Sequence, residues 1–235
     1  MPLTLIHGWG FGAGVWRPLI DELSLASSVN IVSLPGYDGE PDVADMTALV
    51  DWLIGEIAPA TCLVGWSLGG LLAIEVARRC PDRVQALGLV ASLPCFARQP
   101  GWAAGWEAAA AADITRRLQA DPVATVQYVA ALSAHGDQEY QRVRAGLRDC
   151  TQAHVDVLGR DLGYLVQADY RADLAALELP VYAWLGDNDA LIGGDAATAL
   201  RYLRPDVTVH LMTGCGHAPL LSQPPRLARE LESLL

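Results

Sequence analysis

Residues Gly65-Trp66-Ser67-Leu68-Gly69 read G-x-S-x-G, directly after an apolar run and directly before a helical pattern. A serine on so sharp a strand-to-helix turn presents its hydroxyl beyond the sheet, and small residues two positions either side relieve backbone crowding. The following helix aims its positive end at a developing anion. Such a serine becomes a nucleophile only with a base beside it and a carboxylate to orient that base. His217, in Gly214-Cys215-Gly216-His217-Ala218-Pro219, is the candidate base, carried on a loop bounded by glycines and a proline. Two carboxylates compete for the third role, Asp187 and Asp189 in Gly186-Asp187-Asn188-Asp189. Two N–H groups are expected to bind the oxyanion: that of Leu68, and that of Trp9 in the turn His7-Gly8-Trp9-Gly10. The chemistry is acyl transfer through a serine-bound intermediate, with no cofactor and no metal expected.

The same turn admits a rival reading, because Gly8-x-Gly10-x-x-Ala13 loosely fits a dinucleotide fingerprint. That fold places an acid at the end of its second strand for the ribose hydroxyls. Here the strand ends Ser33-Leu34-Pro35-Gly36, without one. A ligand sensor without turnover is the other rival, and an intact Ser67, Asp189 and His217 argues for an enzyme.

These groups need elements to hold them. Short, nearly continuous apolar runs at 3–7, 29–33, 62–66, 86–91, 181–185 and 207–211 predict strands buried on both faces. Helical patterns around 14–25, 43–57, 68–79, 195–203 and 225–234 separate them. The alternation predicts an α/β fold, a doubly wound, mostly parallel sheet of about six strands, and this fold type would arrange them in the order 2-1-3-4-5-6. A crevice then opens above the carboxyl ends of strands 1 and 3, where Trp9 and Ser67 sit. Residues 96–176 differ, being Ala-rich and helical, with about four helices expected. They read as a lid inserted into a core of residues 1–95 and 177–235.

Charge narrows the classes. All sixteen basic residues are arginines, set against 27 acids, and the net charge of −11 argues against nucleic acid or an anionic membrane as partner. The lid holds eight of those arginines against ten acids, −2, while the rest of the chain carries −9. An uncharged stretch, Ile57 to Ile74, spans eighteen residues, but Pro59, Gly65, Gly69 and Gly70 mark it as strand, turn and helix rather than a membrane span. No basic residue precedes Arg17, so no signal peptide is expected. Five scattered cysteines without a CxxC pair read as reduced thiols of a cytoplasmic protein. No two of the five histidines lie within five residues, so no local zinc motif is present. A monomer is expected.

With those residues in hand, the chain resembles the α/β-hydrolases. More narrowly it resembles the family of pimeloyl-[acyl-carrier protein] methyl ester esterases of biotin synthesis. The likeness lies in His7-Gly8-Trp9-Gly10, Val15-Trp16-Arg17, Gly65-Trp66-Ser67-Leu68-Gly69-Gly70-Leu71, Val90-Ala91-Ser92-Leu93-Pro94-Cys95-Phe96 and His217-Ala218-Pro219. The chain order Ser67…Asp189…His217 is that of the fold, and the family's G-x-x-D spacing favours Asp189 over Asp187. Three departures stand out. Relatives usually carry two more strands before the His-Gly loop, Ser33 replaces a frequent aspartate before x-Pro-Gly, and Asp38 a frequent glycine. The resemblance implies hydrolysis of a methyl ester at the far end of an acyl chain borne on acyl-carrier protein. Trp9, Val129 and Leu132 are then expected to contact the substrate, and Arg144 and Arg148, one helical turn apart, to meet the acidic carrier.

Overall fold

The computed structural model describes residues 1–24, 29–151 and 154–235. Leu25, at the end of the first predicted helical stretch, and Gln152 and Ala153, inside 96–176, lie outside the described residues. The described strands form one parallel sheet: β1 (Leu3–Ile6), β2 (Val29–Val32), β3 (Thr61–Trp66), β4 (Val84–Val90), β5 (Val181–Gly186) and β6 (Thr208–Met212). Their order, β2-β1-β3-β4-β5-β6, is the predicted one. All six residues of β3 are buried, as a central strand covered on both faces requires. The hydroxyls of Thr4 and Thr61, buried on neighbouring strands, satisfy each other at 2.9 Å.

Helices α1 (Arg17–Ile20), α2 (Met46–Glu56), α3 (Leu68–Arg79), α9 (Ala196–Leu203), α10 (Pro219–Ser222) and α11 (Pro224–Glu232) connect and cover the strands. Between β4 and β5 run α4 (Ala108–Ala120), α5 (Pro122–Ala134), α6 (Tyr140–Asp149), α7 (Val155–Gln167) and the short α8 (Arg171–Ala176). That is five helices among the described residues where about four were expected; α8, at six residues, is too short to stand out in a hydrophobic period. The stretch predicted as a helix from residue 14 is a 3₁₀ turn, Ala13–Trp16, followed by α1, because Pro18 restarts the helix at its first turn. Asp45 and Asp121 cap α2 and α5 by accepting the N–H groups of Ala48 and Ala124. The uncharged stretch 57–74 divides into the cap of α2, β3, the Ser67 turn and the first half of α3, and among the described residues no helix is long and apolar enough to cross a membrane.

Two of the departures explain each other. Ser33 Oγ donates to Asp38 Oδ2 at 2.6 Å, and the same oxygen accepts the Ala13 N–H at 2.7 Å. The carboxylate missing at position 33 is thus supplied five residues later, from a residue in the left-handed region (φ +49) that glycine ordinarily fills.

Candidate active site

Ser67 stands between β3 and α3 at φ +54, ψ −116, a backbone conformation costly for any residue with a side chain. The flanking glycines make it possible. A Cβ on Gly65 would lie 2.1 Å from the Gly69 carbonyl group, and one on Gly69 would lie 2.4 Å from the Ile6 oxygen. Ser92 clamps the turn from below, its Oγ donating to the Ser67 carbonyl at 2.7 Å.

Three side chains far apart in the chain meet here. Ser67 Oγ lies 2.9 Å from His217 Nε2, and His217 Nδ1 lies 2.7 Å from Asp189 Oδ2. A carboxylate only accepts, so the imidazole proton belongs on Nδ1 and Nε2 is left free to accept the serine hydroxyl. Asp189 is held from its other side, where Oδ1 accepts the N–H groups of Leu191 and Ile192 at 2.8 and 3.1 Å. Ser67, Asp189 and His217 are 8%, 4% and 2% exposed, so water competes little with these bonds. Asp187 does not reach the imidazole. Its Oδ1 accepts the Gly214 N–H at 2.7 Å and so anchors the start of the histidine loop.

That loop depends on residues the sequence did not reveal. Asp137, buried between α5 and α6, accepts the Gly216 N–H at 2.9 Å and the Ser222 hydroxyl at 2.9 Å. The His217 N–H donates to the Ser133 carbonyl at 2.8 Å, and the His217 carbonyl accepts Trp66 Nε1–H at 2.7 Å. Asp137 and Ser133 sit in no motif, and only the packing of α5 against the loop brings them there.

The Trp9 and Leu68 N–H groups have no hydrogen-bond partner among the described residues, leaving both available to an oxyanion. The Trp9 turn is fixed around them. Its indole N–H donates to the Leu158 carbonyl of α7 at 2.9 Å, and the Gly10 N–H donates to Tyr37 Oη at 3.3 Å. Tyr37 in turn donates to Asp161 Oδ2 at 3.0 Å, and Asp161 pairs with Arg160 at 2.8 Å. Burial pushes the Tyr37 phenol well above its ordinary range, so it remains a donor. The space a dinucleotide would need over the Gly8–Gly10 turn is filled by Trp66 and Val126, which a Cβ on Gly8 or Gly10 would meet at 2.8 and 3.2 Å.

His7 closes the other side of that turn. Its Nε2 accepts the Leu34 N–H at 2.9 Å, which places the proton on Nδ1, donating to the Gly8 carbonyl at 3.0 Å. Complete burial pushes its pKa down from 6.5 to about 4. A base kept neutral in the fold adds stability above pH 6.5, and that stability drains as pH falls towards 4 and the unfolded chain takes up the proton. Denaturant melts between pH 7 and pH 4 should show His7 contributing a loss of about 3 kcal/mol. His7→Gln, which keeps an acceptor but does not titrate, should flatten that part of the slope.

A cavity of about 20 Å³ opens on the serine. Val129 lines it, together with Trp9, Ile114, Leu162 and Leu165. Leu132 does not: it is half-buried and outside the lining, because the face of α5 towards the cavity carries Val129 and, four residues on, Ser133. Arg144 and Arg148 are exposed and lie apart from the cavity, flanking a groove with Gln127 and Ala130. All five cysteines are free, and no cluster of three potential metal-ligating side chains occurs among the described residues.

Six parallel strands wound on both sides by helices, with a serine turn after the third, define an α/β-hydrolase. The chain belongs to the alpha/beta hydrolase family, which its residues 5–230 match. It is 35% identical, over 99% of its length and 97% of the relative's, to the pimeloyl-[acyl-carrier protein] methyl ester esterase of Aromatoleum aromaticum. It is 32% identical, over 99% and 91%, to the protein of the same name from Aliivibrio salmonicida. An esterase from Exiguobacterium antarcticum superposes with a TM-score of 0.89 over 100% of this chain and 91% of its own, at 16% identity. At that identity the likeness concerns the fold alone. The chain is a carboxylic ester hydrolase.

Proposed function

We propose that the chain hydrolyses the methyl ester of pimeloyl-[acyl-carrier protein] to the free carboxylate and methanol, a step of biotin synthesis, through an acyl-enzyme on Ser67. The observation that carries the chemistry is the unbroken hydrogen-bonded run from Asp189 through His217 to Ser67. The substrate is proposed from the full-length likeness to esterases of that name. Ser67 Oγ attacks the ester carbonyl as His217 Nε2 takes its proton, and His217 then returns that proton to the departing methanol. Asp189 holds the imidazole and stabilises the imidazolium. The N–H groups of Trp9 and Leu68 bind the oxyanion, each worth about 10²–10³ in rate. Water activated by His217 releases the acid. Growth without biotin tests this reading. A strain lacking its own methyl esterase should be rescued by the wild-type chain and not by Ser67→Ala.

In the same reading residues 96–176 act as a lid on the core formed by 1–95 and 177–235, and the enzyme works as a cytoplasmic monomer. A cavity of about 20 Å³ has room for a water and not for an acyl chain, so α4, α5 and α7 must part to admit substrate. The small volume also favours a second reading, a short-chain carboxylesterase, for which the rescue would fail while small esters are still turned over.

The acidic carrier is proposed to dock beside the lid at Arg144 and Arg148. The other six lid arginines are committed: Arg98 to Glu107, Arg116 and Arg117 to Asp113, Arg142 to Glu139, Arg160 to Asp161 and Arg171 to Asp169. Arg144 has no acidic partner among the described residues, and the only one of Arg148 is the adjacent Asp149 at 3.6 Å. On a chain of net charge −11, such local positive charge is what would steer an acidic protein. The double variant Arg144→Glu/Arg148→Glu should raise KM for the carrier-bound ester by about 10-fold or more while sparing p-nitrophenyl acetate. Equal loss on both substrates would overturn the docking site.

A further inference from the structure

Ser133 presents a buried hydroxyl on the face of α5 that meets the cavity. It is 1% exposed, and its Oγ has no hydrogen-bond partner among the described residues. A helical serine ordinarily returns its hydroxyl to the carbonyl one turn back, so a buried one that does not is unusual. Its position gives the reason. Ser133 lines the cavity that holds Ser67 and His217, and its own carbonyl accepts the His217 N–H at 2.8 Å, which locks this turn of α5 against the base. The cavity, about 20 Å³, accommodates a single water.

We propose that Ser133 Oγ positions the hydrolytic water of deacylation, an assignment that rests on the serine-esterase reading above. In that step the water oxygen bonds to the acyl carbon while one water proton passes to His217 Nε2. The bond from the acyl carbon to Ser67 Oγ then breaks, and the proton on His217 goes to Ser67 Oγ, leaving free acid and free enzyme. The second water proton takes no part and needs an acceptor. A hydroxyl can accept it. The indole N–H of Trp106, the other unpartnered buried side-chain group lining the cavity among the described residues, can only donate.

Acylation by an ester consumes no water, so Ser133 should matter only to the second half of the reaction. With p-nitrophenyl acetate, Ser133→Ala should acylate at a rate within about twofold of wild type and turn over about tenfold more slowly, with acyl-Ser67 accumulating in the intact mass spectrum. Added methanol gives a sharper readout. As a nucleophile it has no second O–H proton to place, so Ser133→Ala should raise the ratio of methyl acetate to acetate about tenfold, and Ser133→Thr should restore it. A merely structural role would lower hydrolysis and methanolysis by one common factor, and that result, or an unchanged ratio, would overturn the assignment. Should Ser133→Ala fail to fold, Ser133→Cys, a poor acceptor of similar size, reads the same ratio. A wild type without Ser67-dependent turnover would instead overturn the serine-esterase reading, and this assignment with it.

Discussion

Ser67→Ala is expected to lose about 10⁶ in kcat on p-nitrophenyl acetate, and His217→Ala about as much. The two groups act in one step, since the hydroxyl is nucleophilic only while Nε2, 2.9 Å away, takes its proton. Removing either therefore removes the whole of that step, and the double variant Ser67→Ala/His217→Ala should be no slower than the single ones. The residual rate belongs to the oxyanion donors on Trp9 and Leu68, which neither substitution touches. Ser67→Ala keeps a Cβ at φ +54, so the strain of the turn is unchanged and the fold should melt as the wild type does. Steady-state kinetics of the three variants check this. A His217→Ala enzyme within tenfold of wild type would remove the base from the mechanism.

Asp189→Asn should lower kcat by about 10⁴. The size of the effect follows from how the carboxylate is held. Oδ1 accepts the Leu191 and Ile192 N–H groups, so an asparagine must keep its carbonyl oxygen there and turn its NH₂ towards His217. Facing a donor, Nδ1 must become an acceptor and the proton moves to Nε2. The imidazole then offers Ser67 a donor where it needs an acceptor. Asp187→Asn, two residues away, should stay within a few-fold of wild type, because its task is to accept the Gly214 N–H and an amide oxygen does that as well. Parallel kinetics of the two variants separate the roles. Equal losses would mean that Asp189 serves only the loop.

The comparison of those two aspartates shows where sequence reasoning reaches its limit. Gly186-Asp187-Asn188-Asp189 places both carboxylates just past β5, and along the chain they are near equivalents. Which one faces the imidazole depends on the path of a four-residue turn and on the N–H groups of residues 191 and 192. The serine turn is different. A Cβ at 65 or 69 would collide with backbone, so the glycines are demanded locally and appear as a motif. Likewise β1 and β3–β5 announce themselves, since a strand covered on both faces must be apolar at nearly every position.

The face of α5 was legible only in part. Val129 and Leu132 are both apolar and both plausible for a cavity, yet a helix turns by 100° per residue, and the cavity meets Val129 and Ser133 instead. Asp137 carried no signal of its role in the loop, because beyond the Glu139 N–H its partners, Gly216 and Ser222, lie 79 and 85 residues away.

What the amino-acid order alone determined is the parallel α/β sheet and a strained serine at the end of β3, with a histidine and an aspartate downstream of it. Each of these follows from constraints between neighbours: burial of a run, crowding at a turn, the handedness of a crossover. Tertiary structure alone decided which aspartate meets the histidine, which face of α5 looks into the cavity, that Asp137 anchors the histidine loop, and that Ser33 and Asp38 complete each other. These are choices among chemically similar groups. They are settled by hydrogen-bond directions of a few ångströms across segments that meet only once the sheet and the helices above it have packed.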